Sequence, residues 1–308
     1  MAYVDEELAS QPDCWRTAAA LAPEHADVLG RPGERVAVTG CGTSWFMAMV
    51  YAALRERAGL GETDAFQASE FPTTRRYDRV VAITRSGTTT EVTDLLAALA
   101  ATPTTVITGS GDNPAAHLAT DVVALPFADE RSVVQTRFAT SALALLRAHL
   151  GEDLGDAITD AEVAVRTPLP VAPGLVEQIT FLGQGWTVGL AEEAALKCRE
   201  AATFWAESYQ AMDYRHGPIA IAAPRRVVWA FGDVPAGLDE TVEAAGATFV
   251  HSRGHCGHTA LGSWNGGRVP LDPMADLIIA QRFAVALAAD RGLDPDAPRN
   301  LTRSVVLA

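Results

Sequence analysis

The sequence is short of cysteine, of long apolar runs and of basic residues, and each shortage excludes a class of protein. Its four cysteines, Cys14, Cys41, Cys198 and Cys256, form no CxxC pair. A chain of 308 residues buries enough surface to need no covalent staples, so reduced thiols are expected and a disulfide framework is not. No apolar stretch reaches the roughly 18 residues of a membrane-crossing helix. The N-terminus carries Asp5, Glu6 and Glu7 where a secretory leader would be basic and then apolar. A cytoplasmic protein with no membrane partner is the expectation. With 24 Lys and Arg against 38 Asp and Glu, the net charge of -14 opposes a polyanion and removes nucleic acid as an expected partner. A small anion is different, because amides at a helix start can hold phosphate inside an acidic protein.

What is present is a folded chain, 48% hydrophobic and strongly periodic, with room for about two domains. Residues 1–30 read as helical, broken at Pro12 and Pro23. Arg35–Thr39 reads as a strand, Gly40-Cys-Gly-Thr-Ser44 as a turn and Trp45–Arg57 as a helix. Ala68–Phe71 reads as a polar link. Further strands are expected at Arg79–Thr84, Thr104–Thr108 and Asp121–Phe127, with helices at Val92–Ala101 and Val133–Leu150. Residues 151–173, acidic and carrying Pro168, Pro170 and Pro173, read as an inter-domain connection. The pattern then restarts: strand Ile179–Leu182, turn Gly183-Gln-Gly185, helix Trp186–Trp205, 143 positions after the first such unit. This reads as an internal duplication. Strands at Val227–Phe231 and Ala247–Val250 flank a helix at Leu238–Ala245, and Pro273–Arg291 reads as a last long helix. Alternating β and α units predict an α/β protein with doubly wound, three-layer αβα parallel sheets, divided into domains at 1–165 and 166–308.

Three stretches could carry chemistry. Thr43 and Ser44, with Thr84, Ser86, Thr88, Thr89 and Thr90 around Gly87, put hydroxyls and open amides after two strands. They read either as ordinary helix caps or as a phosphate cradle to which Arg85 adds a cation. After Gly40 and Gly42 the third glycine of a dinucleotide fingerprint is missing, so no such cofactor is expected. Glu193, Lys197 and Glu200 share one helix face at i, i+4, i+7. Alone they read as a solvated face with an ion pair, and His216 as a loop histidine. Joined, they supply the carboxylate, amine and imidazole that proton transfer requires. Last, His251, His255, Cys256 and His258 are metal-competent, but all fall in one Gly-rich loop rather than in paired positions, so no metal is expected.

Taken in order, Gly40-Cys-Gly-Thr-Ser44, Ser69-Glu-Phe71, Thr84-Arg-Ser-Gly87 with Thr89, Glu130-Arg-Ser-Val-Val-Gln-Thr136, Glu193–Glu200, Arg215-His-Gly-Pro218 and Asp296-Ala-Pro-Arg-Asn-Leu-Thr-Arg-Ser304 resemble the sugar isomerase (SIS) domain family. The pattern is similar to the isomerase half of glutamine:fructose-6-phosphate amidotransferases and to AgaS-like deaminase/isomerases. The resemblance covers nearly the whole chain and implies two tandem SIS domains, usually in a homodimer with a shared active site. It implies that Gly42, Thr43, Ser44, Thr84, Arg85, Ser86, Thr89 and Val133 surround a sugar phosphate. Glu200 would move a proton between C1 and C2, Lys197 would be its neighbour, His216 would promote ring opening, and the C-terminal tail would close over the sugar. The small-molecule sugar phosphate is the expected partner, with no cofactor.

Two positions depart from the pattern. Arg303 stands where the amidotransferases carry a Schiff-base lysine, and a guanidinium that stays protonated cannot be that nucleophile. Arg85 stands where they carry glutamine, as in the AgaS-like relatives. The chain starts at Met1-Ala2 without an N-terminal cysteine nucleophile or amide hydrolase, so a reaction without glutamine is expected. Deamination of an amino-sugar phosphate, plain aldose-ketose isomerisation and non-catalytic sugar-phosphate binding all stay open.

Overall fold

A computed structural model describes residues 2–251 and 271–307. The chain forms two compact units, one of Ser10–Leu154 with Thr302–Ala308, the other of Met1–Ala9 with Gly155–Leu301. Helix α1 (Tyr3–Ala9) belongs to the latter.

The unit built on Ser10–Leu154 contains α2 (Gln11–Leu21), β1 (Val36–Gly40), α3 (Thr43–Arg57), β2 (Thr63–Gln67), β3 (Arg79–Ile83), α4 (Thr90–Ala98), β4 (Thr104–Thr108), α5 (Pro114–Leu118), β5 (Asp121–Ala124) and α6 (Arg137–His149). The strands form one parallel sheet in the order β2-β1-β3-β4-β5, with Val38 opposite Val81 and Val81 opposite Thr105. Central strands β1, β3 and β4 are buried at every residue, which suits their apolar and β-branched composition. Alternate residues face opposite ways: Ala37, Val80, Ala82 and Val106 join Val92, Leu95 and Leu96 of α4 in one core cluster. Val38, Val81, Ile83 and Ile107, of the other parity, are equally buried, and α3 packs on β1 and β2.

The second unit contains α7 (Gly155–Ala164), β6 (Gln178–Gly183), α8 (Val188–Ala202), β7 (Ala206–Gln210), β8 (Arg226–Ala230), α9 (Leu238–Ala244), β9 (Thr248–His251) and α10 (Pro273–Asp290). Its parallel sheet runs β7-β6-β8-β9, so both sheets place their first strand inside and their second at an edge. Leu182, Val228, Ala230 and Phe249 pack with Leu238 and Val242 of α9. Phe231 stacks on Phe181 and on Trp229, those two are tilted to each other, and Phe283 of α10 meets Trp229 edge-on at 6.2 Å. Helix α10 starts where Asp272 accepts from the Met274 amide at 2.9 Å and Pro273 takes the first helical position.

Several elements differ from the sequence expectation. The edge strands β2 and β7 (TDAFQ and AESYQ) are mostly half-buried and present no apolar run. Helix α7 lies inside the expected connection, because Ala157, Asp160, Ala161 and Ala164 fall on one buried face. The long helix expected from Val133 starts only at Arg137. Among the described residues no helix is long and apolar enough to cross a membrane.

Candidate active site

In a parallel sheet, ligands gather beyond the carboxyl ends of strands where the strand order reverses. In the first sheet that point lies between β1 and β3, and the two loops leaving these strands are the hydroxyl-rich ones. They meet closely: a Cβ on Gly40 would come within 2.7 Å of Ser44 Cβ and 3.0 Å of the Ile83 carbonyl, so only glycine fits. Gly42, at φ 53°, then turns the chain into α3, leaving Thr43 and Ser44 buried at its first turn. The neighbouring Cys41 is no nucleophile at neutral pH, since burial and then Glu91 push its thiol up to about 11.

After β3 the loop is held by its own hydroxyls. Thr84 Oγ1 accepts from the Gly87 amide at 3.3 Å, and Ser86 Oγ accepts from the Thr88 amide at 3.2 Å and from Thr88 Oγ1 at 3.0 Å. Gly87 has φ +66°, and any Cβ there would overlap Asn113, whose Oδ1 caps α5 through the Ala116 amide. Thr89, half-buried and extended, precedes the first turn of α4. The expected residues Gly42, Thr43, Ser44, Thr84, Ser86 and Thr89 therefore line two adjacent loops, each leading to a helix N-terminus that favours an anion.

Arg85, after the same strand, is engaged within the chain. Its side chain is 1% exposed, and Nη1 donates to Glu130 Oε2 at 3.5 Å and the Ser132 carbonyl at 3.0 Å. Nη2 donates to the carbonyls of Val133 at 3.3 Å and Arg303 at 3.1 Å. Burial pulls this guanidinium below its ordinary value, against the Coulombic pull of Glu130. Val133 is half-buried and contributes its carbonyl to this junction. Glu130 has further donors: Oε1 accepts from Thr136 N at 2.5 Å, Thr136 Oγ1 at 2.9 Å and Arg137 N at 2.8 Å, capping α6. Arg303 meets Asp129 Oδ1 at 2.5 Å through Nη2 and donates to the Glu130 carbonyl through Nη1. Glu130 lies within one of the motifs, but spacing alone gives neither it nor Asp129 a partner.

The other expected residues lie on the second unit. Lys197 of α8 is 1% exposed, with Nζ 2.6 Å from Glu200 Oε2 and 3.4 Å from Glu193 Oε1. Glu193 is wholly buried, whereas Glu200 is 20% exposed. Three charges on one helix face are therefore an interior cluster and not a solvated one. The Ala-rich helix stops at Thr203, whose backbone turns left-handed at φ 47°. His216 stands exposed in the 3-10 turn Asp213–His216 after β7. His251 is buried, with Nε2 2.7 Å from the Gly232 carbonyl, while His255, Cys256 and His258 lie outside the described residues. Among the described residues no cluster of His, Cys, Asp and Glu could hold a metal ion.

No protein-family model matches the chain. By sequence it is similar to a glutamine–fructose-6-phosphate aminotransferase [isomerizing] of Nostoc sp., 27% identical, over 89% of this chain and 52% of that one. The chain thus spans about half the length of the curated relatives it matches. By fold it is similar to a solved glucosamine-6-phosphate deaminase of Thermotoga maritima, with TM-score 0.78 and 24% identity over 98% of this chain and 99% of that one. It is also similar to the tagatose-6-phosphate ketose/aldose isomerase of Escherichia coli, with TM-score 0.79 and 17% identity over 98% and 95%. The sequence likeness and the fold likeness both agree with the resemblance of the motif order to the sugar isomerase (SIS) family.

Proposed function

We propose that this chain is a phosphosugar enzyme that converts an amino-sugar 6-phosphate of the glucosamine type to a ketohexose 6-phosphate and ammonia. The observation that carries this reading is the α8 cluster. Burying charge is costly unless it is paired, and here a buried lysine holds two carboxylates of which only Glu200 reaches the surface. A carboxylate fixed by a charge-assisted hydrogen bond and open on one side is suited to taking a proton from carbon.

In the proposed reaction the hydroxyl loops after β1 and β3 hold the phosphate, and His216 exchanges a proton with the ring oxygen as the sugar opens. Glu200 takes the C2 proton of the open 2-amino aldose to give an enolamine and returns a proton to C1, leaving a C2 imine. Water adds to that carbon, the C–N bond breaks, and ammonia leaves the ketone. An amino sugar brings its own nitrogen, so this route needs no amine from the protein. That agrees with an arginine at position 303 whose guanidinium is engaged with Asp129. The names of the structural neighbours cover deamination and ketose/aldose isomerisation, and neither reaction requires an amine from the protein.

We also read the two sheets as tandem SIS domains and the working protein as a cytoplasmic homodimer with a shared site. Sedimentation would report the dimer, and mixing inactive Glu200→Gln and His216→Asn chains would restore activity only if the site is shared. Incubating the full chain with glucosamine 6-phosphate should release ammonia and ketose phosphate in equal amounts. Aldose-ketose exchange without ammonia would make it a plain isomerase, and binding without turnover would make it a sugar-phosphate sensor.

A further inference from the structure

Arg303 does not act alone. Its own carbonyl accepts from Arg85 Nη2 at 3.1 Å, while its guanidinium holds Asp129 Oδ1 at 2.5 Å and the Glu130 carbonyl. Beyond it the chain runs along the hydroxyl loop. Thr88 Oγ1 lies 2.9 Å from Ser304 Oγ and 3.0 Å from Ser86 Oγ, the Thr90 amide donates to the Val305 carbonyl at 3.1 Å, and the Leu307 amide donates to Thr90 Oγ1 at 2.8 Å. Ser304, Thr88 and Ser86 thus form one line of hydroxyls. Apolar burial does not hold this segment: Val305, Val306 and Leu307 are 53%, 66% and 64% exposed. Polar contacts must hold it, and Arg303–Asp129 is its ion pair.

We propose that Arg303 is a positioning residue, a latch that fixes the segment Arg303–Leu307 on the hydroxyl loop and so orders Thr88 and Ser86 for the phosphate. Position 303 here fastens the tail and supplies no reacting group. The kinetic part of this inference rests on the phosphosugar reading; the docking part does not.

Hydrogen exchange on the full chain tests the docking. Arg303→Ala and Asp129→Ala should each speed exchange of the Leu307 and Thr90 amides about tenfold, as expected when an ion pair and a charged hydrogen bond are lost from a locally opening segment. The exchanged pair Arg303→Asp with Asp129→Arg should recover part of that protection. With glucosamine 6-phosphate, each single variant should raise KM about tenfold and leave kcat within about twofold. Both residues are about 40% exposed, so these variants should fold. Unchanged exchange in Asp129→Ala would overturn the latch. Loss of kcat in Arg303→Ala with unchanged exchange would overturn it as well and make Arg303 catalytic. If no variant turns over glucosamine 6-phosphate but exchange responds as stated, the latch stands and the phosphosugar reading falls.

Discussion

Lys197 and Arg85 are both buried cations facing a buried carboxylate, and they are stabilised in opposite ways. Arg85 is surrounded: its two Nη atoms reach Glu130 and three carbonyls, and Glu130 in turn takes three donors at the start of α6. Lys197 has two carboxylates, one sealed and one, Glu200, 20% exposed. A network whose charged groups are paired within the chain rigidifies the loops around it. An ion pair with one member open to the surface keeps a reactive oxygen. The difference separates framework charge from chemical charge within one chain, and substitutions on either side test it.

The largest effect is expected at the open end. Glu200→Gln keeps shape and hydrogen bonding but removes the base, so kcat should fall about 10²–10⁴-fold. Thermal unfolding should move little, because Glu200 is partly exposed and its replacement leaves no cavity. Equal loss of stability and activity would erase the distinction. At the framework end the pattern should invert. Glu130→Gln leaves Arg85 buried beside a neutral group, and breaking such a pair costs about 3–5 kcal/mol, read as a lower urea midpoint at unchanged m. Any protein that remains folded should keep the proton-transfer step.

Much of this fold is legible in the sequence for a physical reason. Strands β1, β3, β4, β6 and β8 lie inside their sheets, so burial on both faces makes each rich in apolar or β-branched residues. Edge strands β2 and β7 are unreadable because burial constrains them far less. The hydroxyl loops are readable because Gly40 and Gly87 occur where no side chain fits. The charge assignments are not. Arg85 meets Glu130 across 45 positions and Arg303 meets Glu130 across 173, distances over which spacing carries no information. Spacing placed Glu193, Lys197 and Glu200 on one helix face, but only packing shows that this face turns inward. The four acceptors that Arg85 finds inside the chain are likewise invisible to spacing.

Lys197→Met sharpens the comparison from the other direction. Methionine fits an Ala-rich helix, but it leaves Glu193 sealed without its lysine, so about 3 kcal/mol of stability should be lost. A second change, Glu193→Gln, should return most of it, since replacing both members of a buried pair is often near neutral. Activity should stay low in both, because Glu200 also loses its 2.6 Å partner. If the double variant regained full activity, Lys197 would be framework like Arg85.

The smallest expected effect is a pH dependence on the framework side. His149 ends α6 with Nε2 3.0 Å from the Gly30 carbonyl and Nδ1 buried without a hydrogen bond. Burial lowers its pKa below the ordinary 6.5, outweighing the Gly30 contact, which raises it. A base depressed in the folded state binds fewer protons than the unfolded chain, so stability is full above about 6.5 and is lost as pH falls from there through the folded value. His149→Gln should flatten the part of the stability-pH slope that starts just below pH 7, measured by urea unfolding across pH 5–8. Because His149 lies on α6 with the Glu130 cap and not on α8, the substitution should leave the pH profile of kcat/KM unmoved. If it shifted that profile, framework and chemical charge would not be separable in this chain.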